Sequence, residues 1–188
     1  MNINTRLQKL TEIVGSSSFK NSRGLGNEVN FHVFDYDPEH EYIVRDHLNY
    51  LLKQENLMLK EFNIYEIIIE ILKEKGFLEK VFEYEEKKGT KYVNNIIVKT
   101  LGVSSNSDLI VNYIRQRVED DQIVIVSGIG NCWPIVRGHT VLNNLQSIVT
   151  KNPLIMLYPG KYDGQSFSLF NQLSSDNYYR AFQIVSRK

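Results

Sequence analysis

Five short apolar runs, at 31–34, 57–62, 123–126, 153–158 and 180–185, alternate with stretches whose apolar residues recur at helical spacing. A strand–helix–strand order of this kind favours parallel crossovers, because parallel neighbours cannot be joined by a tight turn. It predicts a three-layer, Rossmann-like α/β domain with a mainly parallel sheet of about five strands. Clusters of special residues border these runs: Ser127-Gly128-Ile129-Gly130, Trp133-Pro134, Arg137-Gly138-His139-Thr140, Tyr158-Pro159-Gly160-Lys161-Tyr162-Asp163-Gly164-Gln165 and Asn177-Tyr178-Tyr179-Arg180-Ala181-Phe182. Open parallel sheets gather such groups outside the carboxyl ends of their strands.

Leu7, Leu10, Ile13 and Val14 mark an opening helix. Asp37-Pro38-Glu39 reads as a second start, with Asp37 as N-cap and Val44, Leu48, Leu51 and Leu52 as the buried stripe. Between the second and third strands, about residues 63–120, a helical insertion is expected. It carries stripes at Tyr65, Ile68, Ile69 and Leu72, then at Ile96, Ile97, Val98 and Leu101, then at Leu109, Ile110, Tyr113, Ile114 and Val118. The mixed charge from Glu79 to Lys91 is the pattern of a solvated helix face. Val141, Leu142, Leu145, Ile148 and Val149 give one further helix. No internal repeat interrupts residues 1–188, which read as one domain.

Several function classes fall away on composition. With 22 basic and 22 acidic side chains the net charge is zero, which argues against an overall electrostatic nucleic-acid binder. One cysteine, Cys132, excludes a disulfide framework within the chain and points to the cytoplasm. No apolar run approaches the ~18 residues a membrane-spanning helix needs, and the amino terminus lacks the apolar core of a signal peptide.

Motif searches for chemistry fail one by one. Gly128 and Gly130 follow a strand, where a phosphate-cradling turn belongs. The dinucleotide fingerprint, however, needs a small residue where Trp133 stands. Gly160-Lys161 lacks the Ser/Thr of a Walker A loop, since Tyr162 follows. His40 and His47 lie two turns apart, without the one-turn spacing of adjacent metal ligands, and no cysteine pair exists. Neither Ser127 nor Cys132 sits in a nucleophile signature. No catalytic residue, metal site or cofactor is expected. What remains is Arg137, His139, Asp163 and Arg180. They could form a pocket for an anion or a peptide, or an arginine–carboxylate network that locks loops together, and the second reading is favoured. Gly128, Gly130 and Tyr162 complete the candidate binding set.

Taken together, Gly24-Leu25-Gly26-Asn27-Glu28, Phe34-Asp35, Gly128-x-Gly130, Pro134, Arg137-x-His139-Thr140, the segment from Tyr158 to Gln165, Leu169-Phe170 and Asn177-Tyr178-Tyr179-Arg180-Ala181-Phe182 resemble the BrxB family over nearly the whole chain. That family was long catalogued as a bacterial domain of unknown function. The resemblance implies a component of BREX systems, which protect bacteria against bacteriophage. Those systems also encode a DNA methyltransferase, a large ATPase and a PglZ-type alkaline-phosphatase-like protein. It brings no catalytic residues with it. It implies instead a non-catalytic interaction subunit that binds other BREX components, the PglZ-type protein foremost, with no direct nucleic-acid or membrane contact. Two alternatives stand beside it: a nucleotide- or small-anion-binding regulatory domain of the same system, and a DNA-contacting subunit.

Overall fold

A computed structural model describes residues 1–20, 30–105, 107–174 and 181–187. Five strands run parallel: β1 (Phe31–Tyr36), β2 (Leu59–Asn63), β3 (Ile123–Ser127), β4 (Leu154–Tyr162) and β7 (Phe182–Gln183), in the order β2-β3-β4-β1-β7. Two short strands, β5 (Phe167–Leu169) and β6 (Leu173–Ser174), add antiparallel to β4 in turn. The fold is thus α/β with a mainly parallel sheet. Its strand order is neither 3-2-1-4-5-6 nor 2-1-3-4-5, the two common doubly wound orders.

Helices cover both faces. Alternate side chains of each strand point to opposite sides. Phe31, Val33, Phe62, Val124, Val126, Leu154 and Met156 therefore enter one core, while Phe34, Tyr36, Ile123, Ile125, Ile155 and Leu157 enter the other. The first core is closed by α4 (Ile64–Glu74), α5 (Leu78–Lys88), α6 (Thr90–Leu101), α7 (Leu109–Arg115) and α8 (Gly138–Leu145). The second is closed by α1 (Ile3–Gly15), α2 (Ser17–Lys20) and α3 (Glu41–Leu52). This division follows from the strand order. The step from β1 to β2 runs one way across the sheet, and the steps to β3 and β4 run back. Crossovers of one hand then place α3 on one face and α4–α8 on the other.

Local departures from expectation have local causes. The run at 57–62 becomes a strand only from Leu59, because residues Glu55–Leu57 form a 3-10 turn and Met58 is left-handed at φ 52°. In α4 the stripe is Ile64, Ile67, Ile68, Ile71 and Leu72; Tyr65 is exposed, so the helix is turned from the expected phase. Asp37 is not a side-chain cap. A 3-10 turn, Pro38–His40, precedes α3, and the Asp37 carboxylate is engaged elsewhere. The amino-terminal cap of α7 is Asp108, which accepts from Ile110 N at 3.0 Å and Val111 N at 3.2 Å. β4 runs four residues past the predicted run, to Tyr162, then turns back into β5. The last strand is parallel to β1. Residues 24–28 and 177–180, Arg180 among them, lie outside the described residues.

Candidate functional site

The glycine turn after β3 is filled by protein. Gly128 has φ +73°, and a Cβ there would lie 2.1 Å from the Asn63 side-chain oxygen. Asn63 is held in place because that oxygen caps α4, accepting from Glu66 N. A Cβ on Gly130 would lie 2.9 Å from Pro159 and 3.1 Å from the Phe170 ring. Both glycines thus serve close packing. Gly128 also borders a small cavity of about 90 Å³ at the carboxyl ends of β1, β2 and β3. Its polar walls satisfy one another: Tyr36 donates to Glu41, Arg45 pairs with Glu41, and the Ser127 hydroxyl donates to Glu61.

Tyr162 and Asp163 are positioned by the β4–β5 hairpin. Tyr162 is buried at the strand end, stacked on Phe167 with ring centroids 4.5 Å apart. Its hydroxyl donates to Ala181 O and accepts from Ala181 N, tying the hairpin to the segment before β7. Asp163 closes the exposed turn by accepting from Gln165 N, Ser166 N and Ser166 Oγ. Those backbone and hydroxyl donors hold its carboxyl below the usual carboxylate range.

An arginine–carboxylate network exists among the described residues, and neither Arg137 nor Asp163 belongs to it; Arg180 lies outside the described residues. Its centre is Asp35, fully buried at the carboxyl end of β1. Asp35 Oδ1 accepts from Arg6 at 3.2 Å and Gln183 at 2.8 Å; Oδ2 accepts from Arg187 at 2.6 Å and Tyr162 N at 3.3 Å. Arg187 also reaches Asp37 at 2.7 Å and Gly160 O. The Arg187 side chain and Asn171 draw the Asp37 carboxyl pKa down. Arg6 donates to Asp35 O and Val185 O and lies 4.6 Å from the Phe34 ring centroid. Two guanidiniums and two carboxylates thereby fasten α1 and the carboxyl-terminal segment onto β1. The hint in the sequence is an aspartate within a buried apolar run, which must find a cation; nothing local says which one.

Arg137 takes no part in this lock. It is exposed, immediately before α8, and makes no ion pair or hydrogen bond among the described residues. It borders a cavity of about 300 Å³ on the face covered by α8, together with His139, Trp133, Tyr158, Phe167 and Leu173. Burial and the Arg137 charge both push the His139 pKa down, which leaves a neutral imidazole at pH 7. Trp133 is 46% exposed and Leu173 38%. The ring of Tyr158 abuts α8 so closely that a Cβ on Gly138 would sit 3.1 Å from it. Of the candidate residues, then, the structure brings together Arg137 and His139. Gly128, Gly130, Tyr162 and Asp163 lie in other settings, and Trp133 and Tyr158 join unforeseen.

The candidate nucleophile is insulated. Cys132 is buried, its Sγ donates to Gly128 O at 3.1 Å, and burial pushes its thiol up to about 12. Among the described residues no group of three His, Cys, Asp or Glu could hold a metal ion, and no helix is long and apolar enough to cross a membrane.

Comparison with known proteins gives a consistent result. The family model described as BREX protein BrxB matches residues 60–184. A BREX protein BrxB from Bacillus cereus (strain H3081.97) is 45% identical over 189 residues, covering 98% of this chain and 98% of that protein. Another, from Escherichia coli O9:H4 (strain HS), is 36% identical over 182 residues, covering 96% of this chain and 90% of that one. No solved structure matches.

Proposed function

The chain belongs to the BrxB family of BREX bacteriophage-defence proteins, and from this we propose that it is a non-catalytic interaction subunit that binds the PglZ-type phosphatase-like component. The observation that carries the reading is an exposed tryptophan beside an arginine with no partner among the described residues, at the mouth of an aromatic-lined cavity. Trp, Tyr and Arg are the residue types that dominate binding energy where proteins meet. The insulated Cys132 thiol fits a role without nucleophilic chemistry. In its layers, though not in its strand order, we read the domain as Rossmann-like, with helices on both faces of a parallel sheet.

Size-exclusion chromatography with light scattering on the purified chain and the PglZ-type protein of the same system tests this. Co-elution at the summed mass is expected. Separate elution at high micromolar concentration removes the binary complex. A small-anion-binding domain is the second reading, supported by the same free guanidinium. It expects thermal stabilisation by nucleotides or phosphate in the absence of any partner.

A further inference from the structure

The cavity beside α8 has a polarity unlike that of the whole chain. Net charge over the sequence is zero, yet the described residues around this cavity include Arg137 and no Asp or Glu. The guanidinium has no counter-ion among the described residues. Tyr158 adds a second unmet group. The residue is only 3% exposed, its ring is packed on Phe167, and its hydroxyl makes no hydrogen bond among the described residues. Burial pushes the Tyr158 pKa upward, so the hydroxyl stays a neutral donor. Its hydroxyl keeps access to the solvent of the cavity and can donate to a group bound there. A cation and a neutral donor facing one cavity, with aromatic and aliphatic walls beside them, are complementary to a single carboxylate. The exposed Trp133 ring and Leu173 supply apolar surface for whatever adjoins it.

Resting on the interaction-subunit reading, we propose that this cavity is the docking site for an acidic peptide segment of the partner, with an Asp or Glu carboxylate on Arg137 and Tyr158 and a neighbouring apolar side chain between Trp133 and Leu173. A peptide fits better than a nucleotide. Among the described residues the site offers one cation, Arg137, where a polyphosphate calls for several donors. The glycine turn that might have supplied them is packed with Asn63 and faces a different cavity. At about 300 Å³ the cavity is at the lower end of the size range of small-molecule sites, and it can hold a side chain or two.

Trp133 is the only tryptophan in the chain, so its fluorescence reports on this site alone. The test titrates the full chain with overlapping, tryptophan-free synthetic peptides covering the PglZ-type protein, and in parallel with ATP and inorganic phosphate. Peptides carrying an acid next to an apolar residue are expected to shift Trp133 emission. Arg137→Ala should weaken them about tenfold, and Arg137→Glu should abolish the response. Tyr158→Phe keeps the ring and removes only the unpartnered hydroxyl. It should weaken binding severalfold while leaving the thermal midpoint unchanged or higher, which a purely structural tyrosine would not do. The two readings fail separately. If the whole partner binds wild type, Arg137→Glu and Tyr158→Phe equally well, the docking site lies elsewhere while the interaction-subunit reading survives. If wild type binds no partner, both fall. A response to ATP or phosphate and to no peptide overturns the peptide proposal in favour of the small-anion reading.

Discussion

A carboxylate with no solvent exposure is tolerated only where cations and donors meet it, and Asp35 is met by two guanidiniums, an amide and a backbone N–H. Asp35→Ala leaves Arg6 buried without its counter-ion, so a loss of about 3–5 kcal/mol is expected in urea unfolding. Cys132, with its thiol pushed up to about 12, should resist alkylation near pH 8 until denaturant is added. His32 gives a pH dependence. Its ring packs against Phe19 and Phe182, and burial lowers its pKa from 6.5 to about 4. Between those values the unfolded chain binds a proton that the folded chain refuses. Stability therefore falls as pH drops from about 6.5 to about 4, by at most ~1.4 kcal/mol per pH unit, and this group adds no further loss below that. Unfolding midpoints across that range, with the His32 ring signals in NMR, check it: the ring should stay neutral at about pH 5. Asp37 and Asp163 have lowered pKa values, so their share of stability is present above the ordinary carboxylate range and is lost in stronger acid. At this scale the sequence was least legible. It favoured an arginine–carboxylate lock and named Arg137, His139, Asp163 and Arg180; among the described residues the lock uses Arg6, Arg187, Asp35 and Asp37. Arg6 and Asp35 are 29 residues apart and Arg187 and Asp35 are 152 apart, so no spacing rule could join them.

Elements were more legible, because they are written in periodicity. All five apolar runs contribute strands to the parallel sheet, and the insertion between β2 and β3 is helical. What periodicity could not show is where a strand outlives its apolar run. Residues 159–162 lie beyond the apolar run, yet β4 continues through them because β5 supplies a hydrogen-bonding neighbour at Gly160, Lys161 and Tyr162. The junction of β3 with α4 offers a sharp test. Gly128→Ala forces an L-residue to φ +73° and drives its Cβ into the oxygen that caps α4. About 2 kcal/mol of destabilisation is expected, about half from the left-handed backbone and half from the displaced cap. Asn63→Ala alone should cost about 1 kcal/mol. The double variant should cost less than the sum, because the collision is gone, and a double-mutant cycle in urea measures that coupling.

Over the whole molecule the decisive feature is the order β2-β3-β4-β1-β7. No sequence pattern carries it, since β1, β3 and β4 are each buried on both faces and would pair acceptably with several others. It sets β1 between β4 and β7, both of which come late in the sequence: Phe31 pairs with Leu154, and His32 with Phe182. A fragment ending at Lys151 keeps most of the helices but loses the strands on either side of β1. It should show no cooperative unfolding transition by circular dichroism. The same order has a consequence for the ribosome. The first described strand to leave the exit tunnel has nothing to pair with until β4, which begins at Leu154, has been made. Throughout that wait Phe31, Val33 and Phe34 are exposed apolar surface beside a carboxylate whose second guanidinium, on Arg187, has not yet been made. Until then the nascent chain carries an unpaired apolar strand, the kind of surface on which aggregation starts and chaperones act.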